Sequence, residues 1–246
     1  MPIEPLLLCA TPIATYRGDV LLTHATGFFF ERDRRLYLVT SQHVFRSDPD
    51  EHAPDRFEIT LHVDRENATR TVGYSIPLYV GRLSQWIAGR DAAGDIDVAL
   101  IELDRSRLPR GTVYTAFTPR NLLRQEETIE IGSAMLIVGF PLGFHDTYHK
   151  LPVVRHAVNA SSFAIRFQGS GYFLTDARTH RGSSGAPVVM RDLDGKHGVL
   201  PWILLGVHSS RFDIRNRDVD IDEALGLNCA WFADILLTLT ERDDGH

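Results

Sequence analysis

Three side chains of this sequence have the types and surroundings of a hydrolytic site, namely Ser184, His43 and Asp97. Ser184 lies in residues 181–187, which read RGSSGAP, and the glycines on both sides allow a tight turn that exposes a hydroxyl. A serine hydroxyl is a weak nucleophile at neutral pH, so it needs a base that takes its proton and an acid that orients the base. Together the three residues predict acyl transfer through a covalent intermediate on Ser184.

The positions of the base and the acid follow from the apolar runs beside them. His43 comes after the run 37–40, which predicts a buried strand and therefore a rigid support for a general base. Asp97 directly precedes the apolar run 98–101. Asp95 has the same strand parity, so parity does not separate the two aspartates. We predict that Asp97 orients His43, because it borders the buried strand directly.

The same glycine-flanked turn can supply an oxyanion hole. The backbone N–H groups of Gly182 and Ser184 can point at one spot, where they would stabilise the negative charge that develops on a substrate carbonyl oxygen. A Gly-Ser-Ser-Gly sequence alone is common in polar loops. The interpretation therefore depends on His43 and Asp97 as well.

The elements that must position these residues read mainly as short strands. Residues 31–35 predict a hairpin turn, residues 103–124 a polar connector, and residues 230–238 a helix near the C-terminus, since their apolar residues fall at helical spacing. Many short strands and one terminal helix indicate two β-barrels or sandwiches. The predicted strands are 28–30, 36–40, 56–63, 71–80, 97–103, 135–140, 151–165, 171–175, 186–190 and 202–207.

Composition excludes several kinds of partner. The chain has 246 residues, a formal net charge of −6 and a pI of about 6.0, which argues against nucleic acid, because phosphate binding needs a basic surface. No apolar run approaches the roughly 18 residues of a membrane span. The N-terminus lacks the features of a signal peptide, and Cys9 and Cys229 give no disulfide framework. We therefore expect a cytoplasmic protein whose two cysteines are small buried side chains.

The combined motifs resemble those of the bacterial trypsin-like serine proteases, which have the chymotrypsin fold. The order His43, Asp97, Ser184 is that of the chymotrypsin architecture. Residues 175–177 and 181–185, and the pair 27–28 ahead of 39–44, are similar to the high-temperature-requirement proteases. The other motifs that carry the resemblance are residues 97–101, 138–143 and 206–209.

The resemblance implies an all-β fold of two six-stranded-type antiparallel barrels with a short C-terminal helix. Residues 1–110 would form the N-terminal barrel with His43 and Asp97, and residues 111–246 the C-terminal barrel with Ser184. Ser183 stands where digestive enzymes of this type carry an aspartate that pairs with a newly cut N-terminus, so we expect no zymogen step. We also expect none of the PDZ domains typical of the high-temperature-requirement group.

The resemblance also places a pocket for the residue before the cleaved bond. Its floor would lie near Arg178 and Thr179, and its wall would run from His208 through Ser209 to Ser210. An arginine at the floor disfavours basic substrates. Thr179 with His208 is similar to the glutamyl endopeptidases, since a hydroxyl and an imidazole N–H can both donate to a side-chain carbonyl or carboxylate. Cleavage after Glu, with Gln or Asp next, is one prediction, and a pocket for small apolar residues is the other.

We therefore expect a serine endopeptidase that acts on protein or peptide substrates through an acyl-enzyme and needs no cofactor. The alternative is a silent or latent protein on a protease fold that binds a single dedicated partner. An esterase with the same triad is a weaker alternative. His145, His149 and His156 suggest a metal site, but the predicted β-structure around them does not favour a helical ligand pair, so we predict no metal.

Overall fold

Antiparallel strands make up most of the computed structural model, which describes residues 3–47, 52–91, 94–197, 200–209 and 226–241. They form a seven-stranded sheet, a closed six-stranded barrel and a two-stranded ribbon. The sheet precedes the barrel along the chain. This arrangement confirms the all-β prediction, but the N-terminal sheet has seven strands rather than six.

The N-terminal sheet has the strand order β5-β4-β1-β2-β3-β9-β8. The ribbon, β6 with β7, lies within the same half of the chain. The single-turn helix α1 (Gln42–Phe45) follows the third strand. The strands are β1 (Ala10–Arg17), β2 (Val20–Arg32), β3 (Arg35–Thr40), β4 (Arg56–His62), β5 (Thr71–Pro77), β6 (Tyr79–Val80), β7 (Leu83–Ser84), β8 (Trp86–Asp91) and β9 (Gly94–Leu103).

The C-terminal barrel closes in the order β10-β11-β12-β15-β14-β13. Residues 104–133 connect it to the sheet and carry only short 3-10 turns and isolated bridges. The proposed domain boundary at residue 110 falls in this connector and stays a prediction. The barrel strands are β10 (Ala134–Gly139), β11 (Val153–Asn159), β12 (Tyr172–Asp176), β13 (Pro187–Arg191), β14 (Trp202–Ser209) and β15 (Leu227–Phe232), and helix α2 (Ile235–Leu239) follows them.

Apolar side chains from both halves form one shared core. Phe28 and Phe30 of β2 belong to the same buried cluster as Val138 of β10, Val207 of β14 and Leu236 of α2. In the described residues, one further cluster fills the sheet and two lie in the barrel. Because burial of apolar surface is the main favourable contribution to packing, the shared cluster holds the sheet and the barrel together.

The C-terminal helix is shorter than the sequence predicts. Residues 230–232 belong to β15, where Ala230 lies opposite His208 of β14 on one side and Phe173 of β12 on the other. Closing the barrel requires this segment to be extended, and that requirement outweighs the helical spacing of its apolar residues. The helix occupies Ile235–Leu239 only.

The hairpin turn between β2 and β3 is tighter than the predicted turn 31–35. Its two central residues, Asp33 and Arg34, have φ values of 51° and 64°. Two successive positive φ values are typical of the two-residue turn that matches the twist of paired strands. The predicted strand 151–165 is likewise reduced to β11.

The cysteines and the helices bear on the predictions of buried thiols and of no membrane span. Cys9 and Cys229 are both buried and free, as expected for small apolar side chains. Within the described ranges, no helix has the length and apolar character required to cross a bilayer.

Candidate active site

His43 and Asp97 form a closely hydrogen-bonded pair. His43 lies on α1, directly after the buried strand β3. Its Nδ1 is 2.8 Å from Oδ2 of Asp97, and its backbone N–H donates to Oδ1 of the same carboxylate over 2.9 Å. An ionised carboxylate only accepts, so Nδ1 carries the proton and Nε2 is left as the basic nitrogen. The carboxylate therefore fixes both the tautomer and the orientation of the imidazole.

Asp97 accepts a third hydrogen bond, from a residue that the sequence did not reveal as its partner. The Ser209 hydroxyl, which is fully buried, donates to Oδ2 of Asp97 over 2.8 Å. Burial raises the pKa of Asp97, but the nearby His43 and the hydrogen bonds from His43 and Ser209 outweigh it and bring that pKa below the ordinary value. Asp97 is therefore a stable carboxylate at neutral pH.

A β-bulge separates Asp97 from Asp95. In the pairing of β8 with β9, Ala88 lies opposite Ala99 while Gly89 lies opposite Ile96, so residues 97–98 are extra on β9. A bulge re-aims the side chains that it carries. Asp95 is exposed and lies 3.7 Å from Arg90 at the surface. The structure therefore brings Asp97, and not Asp95, to His43.

The loop that carries Ser184 packs against the end of β3. A Cβ atom on Gly185 would lie 2.0 Å from Oγ1 of Thr40 and 2.3 Å from the carbonyl oxygen of Thr26, so only glycine fits there. Gly185 also has a φ of 84°, in the left-handed region that favours glycine. Thr40 precedes His43 by three residues, so this contact brings the Ser184 loop next to the segment that bears His43.

Both peptide groups around Gly182 are held by hydrogen bonds from outside the loop. The Leu142 N–H donates to the Arg181 carbonyl over 2.5 Å, and the Thr26 hydroxyl donates to the Gly182 carbonyl over 2.8 Å. The C=O and N–H of a trans peptide point in opposite directions, so the Gly182 N–H faces away from Leu142. In the described part of the chain, this N–H has no acceptor.

Leu142 has an unusual backbone for a large side chain. Its φ is 54° and its ψ is 23°, although the side chain is 69% exposed and gains little from packing. Such a conformation costs an L-residue roughly 1–2 kcal/mol. Residues held in strained conformations cluster at functional sites, and here the strained turn directs the Leu142 N–H at the Ser184 loop.

The predicted pocket residues differ in their placement. Arg178 is exposed, Thr179 is half-buried and His208 is fully buried. Ser209, predicted to line the wall, has its hydroxyl bonded to Asp97 instead. Ser210, the last of the predicted pocket residues, lies outside the described residues.

Thr179 and His208 reach the same face of β15. The Thr179 hydroxyl donates to Oδ1 of Asn228 over 2.5 Å, and Asn228 is fixed by its own bond to the Ala177 carbonyl. His208 lies opposite Ala230, two residues further along β15. Residues two apart on a strand share a face, and so do directly opposed residues on neighbouring strands.

The His208 imidazole is a buried polar group with spare hydrogen-bonding capacity. Its two ring nitrogens have no partner among the residues that the structure describes. Burial, and to a smaller extent the neighbouring His43, lower the pKa of His208 to about 4. The ring is therefore neutral at physiological pH, with one N–H donor and one acceptor.

The three histidines considered for a metal have other contacts or stand apart. His145 Nδ1 lies 2.6 Å from the Gly143 carbonyl, and His149 Nδ1 lies 2.6 Å from Asp146. His156 is exposed on β11. Within the described ranges, no three metal-binding side chains come together as a site.

The fold and these contacts are those of the chymotrypsin-fold class of peptidase domains. A family model described as the trypsin-like peptidase domain matches residues 25–196 of this chain. The match covers more than half of the sequence, so the chain belongs to the trypsin-like peptidase family. No curated protein gives a significant match.

Solved structures with this fold are similar over nearly the whole chain. A serine endoprotease from Yersinia pestis has 14% identity and a TM-score of 0.55, covering 95% of this chain and 62% of its own. The active form of a Mycobacterium tuberculosis protease has 16% identity and a TM-score of 0.50, covering 96% and 82%. An inactivated protease paralogue from the scabies mite has 16% identity and a TM-score of 0.57, covering 96% and 95%.

At these identities the likeness shows the fold alone. This chain spans less than two thirds of the Yersinia protein. The resemblance to glutamyl endopeptidases is not tested by these matches and stays a prediction.

Proposed function

We propose that this protein hydrolyses peptide bonds in protein or peptide substrates with Ser184 as the nucleophile. Ser184 Oγ attacks the substrate carbonyl carbon while its proton passes to Nε2 of His43. His43 then gives that proton to the leaving amine, which departs and leaves an acyl group on Ser184. Water, activated by His43 in the same way, releases the acid and restores the serine.

The observation that carries this proposal is the His43–Asp97 pair beside the Ser184 loop. Asp97 binds both the Nδ1 and the backbone N–H of His43, so the ring can turn only with difficulty. The negative charge of Asp97 also stabilises the imidazolium that forms during attack. The Thr40–Gly185 contact supports the placement of Ser184 close to this pair.

The orientation of Gly182 supports an oxyanion hole that is formed at rest. The Arg181 carbonyl binds the Leu142 N–H and therefore does not turn toward the developing oxyanion. The Gly182 N–H, together with that of Ser184, would donate to the carbonyl oxygen in the tetrahedral intermediate. Removing one such donor costs on the order of 10²–10³ in rate.

The pocket chemistry supports a substrate residue with a side-chain carbonyl, Glu or Gln, before the cleaved bond. A neutral His208 would donate one hydrogen bond to that carbonyl oxygen. The Thr179 hydroxyl already donates to Asn228 and so presents lone pairs, which suit the amide hydrogens of Gln better than a carboxylate. A site with such buried polar groups rejects apolar side chains, because its own groups then stay unpaired.

The proposal is tested by cleavage of a mixed peptide library, read by mass spectrometry, with Ser184→Ala as the matched control. We expect cuts after Gln and Glu that disappear in the variant. Cuts after Leu, Val or Arg would support the protease activity but contradict the proposed specificity of the pocket. A chain that cleaves nothing and does not react with a fluorophosphonate would contradict catalysis by Ser184 and favour a silent binding protein.

A further inference from the structure

Thr26 uses every polar group that it has to bind the surroundings of the candidate site. It lies on β2 and is fully buried. Its N–H donates to the Ser184 carbonyl over 3.0 Å, and its own carbonyl accepts from the Thr40 hydroxyl over 2.7 Å. Its hydroxyl donates to the Gly182 carbonyl over 2.8 Å and accepts from the Phe140 N–H over 3.0 Å.

We propose that the Thr26 hydroxyl is a positioning element of the oxyanion hole, and that Thr26 sets the distance between the base and the nucleophile. The inference rests on the proposed function and adds a residue that the sequence motifs do not indicate. Thr26 does not touch substrate. It acts through Gly182 and Ser184.

The hydroxyl is suited to this task because it binds two backbone groups at once, the Gly182 carbonyl and the Phe140 N–H. A threonine hydroxyl has one hydrogen to donate and two lone pairs that accept. The hydrogen goes to Gly182 and one lone pair receives the Phe140 N–H. Without the hydroxyl, a buried carbonyl next to the hole and a buried N–H at the end of β10 both lose their partner.

Backbone segments pack closely around Thr26 and around the Phe140 N–H that it binds. A Cβ on Gly139 would lie 2.8 Å from the Thr26 hydroxyl oxygen. A Cβ on Gly182 would lie 2.7 Å from the Phe140 carbonyl, and one on Gly185 would lie 2.3 Å from the Thr26 carbonyl. Gly139 and Gly185 therefore approach Thr26 closely, and Gly182 approaches the neighbouring Phe140, so the position of each segment depends on the others.

The backbone bonds of Thr26 connect the two halves of the triad. Thr40, three residues before His43, donates to the Thr26 carbonyl, while the Thr26 N–H holds the Ser184 carbonyl. A single residue of the N-terminal sheet thus links the strand that leads to the base with the loop that bears the nucleophile. Geometry at this link matters, because a displacement of about 1 Å in an active site can cost roughly 10²-fold in rate.

The test compares Thr26→Val, which keeps the shape and loses the hydroxyl, with Thr26→Ser, which keeps the hydroxyl. Thr23→Val, at an exposed position on the same strand, is the control for the substitution itself. For the best library peptide, we expect Thr26→Val to lower kcat by about 10- to 100-fold, less than removal of a hole donor outright. We expect KM to change by less than about twofold and Thr26→Ser to retain most of kcat.

A second readout separates positioning from general damage to the fold. A peptide aldehyde forms a tetrahedral adduct that needs the oxyanion hole, so its affinity for Thr26→Val should fall in proportion to kcat. The affinity of the product acid should stay the same. Hydrogen exchange of residues 180–186 should be faster in Thr26→Val than in Thr26→Ser. Unfolding temperatures of all variants show how much of the chain is folded in each assay.

Three outcomes would overturn the inference. The first is a folded Thr26→Val with nearly normal kcat. The second is an equal loss of affinity for the aldehyde and for the product acid. The third is a kcat of Thr26→Ser that is as low as that of Thr26→Val. If the wild-type chain cleaves nothing, the proposed function fails. The exchange comparison then decides by itself whether the Thr26 hydroxyl holds the Gly182 loop.

Discussion

At the scale of single residues, Asp97 shows how a buried charge is kept at a site. Taking a carboxylate out of water is unfavourable, and here three hydrogen bonds, from two groups of His43 and from Ser209, offset that cost. The same bonds leave little freedom for the imidazole. The same contacts therefore keep Asp97 ionised and hold the His43 imidazole in position.

Replacing Asp97 by Asn should therefore remove most of the activity while leaving the fold. The neutral amide can present an N–H to His43 Nδ1, which stabilises the wrong tautomer and puts the proton on Nε2. We expect kcat to fall by roughly 10⁴ at neutral pH. The control is Asp95→Asn, whose carboxylate is exposed and should be replaceable within about twofold. Equal losses in both variants would contradict the assignment of Asp97.

The residue types of the triad could be predicted from the sequence, but the partner of Asp97 could not. The sequence motif 206–209 predicts both His208 and Ser209 in the pocket, because the two residues are adjacent in it. On a strand, adjacent side chains point to opposite faces, so His208 shares a face with Ala230 of β15 while Ser209 turns toward Asp97. Strand alternation was the signal that would have separated them.

At the scale of elements, the junction of β3 with the Ser184 loop depends on Gly185. A methyl group there meets Thr40 and the Thr26 backbone at distances that no real contact allows, and the left-handed φ adds strain. We expect Gly185→Ala to lower the free energy of unfolding by about 3 kcal/mol or more and to abolish cleavage. Urea unfolding and the peptide assay measure the two effects.

The control for this change is Gly195→Ala. Gly195 has a similar φ of 66°, but nothing lies within 4 Å of its added Cβ. It should therefore show only the cost of the left-handed conformation, about 1–2 kcal/mol, with activity intact. Similar destabilisation in both variants would mean that the backbone conformation, and not the contact with Thr40, sets the requirement for glycine.

The strands could be predicted from the sequence better than the bulge and the strand ends that orient the side chains of the site. Apolar runs located β3, β9 and β14 because burial dictates their composition. The bulge at residues 97–98 left no local pattern, since it arises from the pairing of β9 with β8. The strand character of residues 230–232 was missed for the same reason, because barrel closure is a long-range constraint that apolar spacing does not report.

At the scale of the whole molecule, the buried His208 couples stability to pH. Its pKa is about 4 in the folded protein, below the 6.5 of an ordinary histidine, because burial disfavours the imidazolium. As the pH falls below about 6.5, the unfolded chain takes up this proton before the folded one does. The free energy of unfolding is therefore highest above about pH 6.5 and decreases toward pH 4, by on the order of 3 kcal/mol from this group.

Replacing His208 by Leu should remove this part of the pH dependence. The ring nitrogens have no partner in the described part of the chain, so an apolar side chain of similar size loses no hydrogen bond there. Urea unfolding at about pH 7 and about pH 5 should show a smaller decrease for His208→Leu than for the wild type. The exposed His156, replaced by Ala, is the matched control for removal of an imidazole. An unaltered decrease in His208→Leu would mean that other groups, such as Asp97 at lower pH, account for the loss of stability in acid.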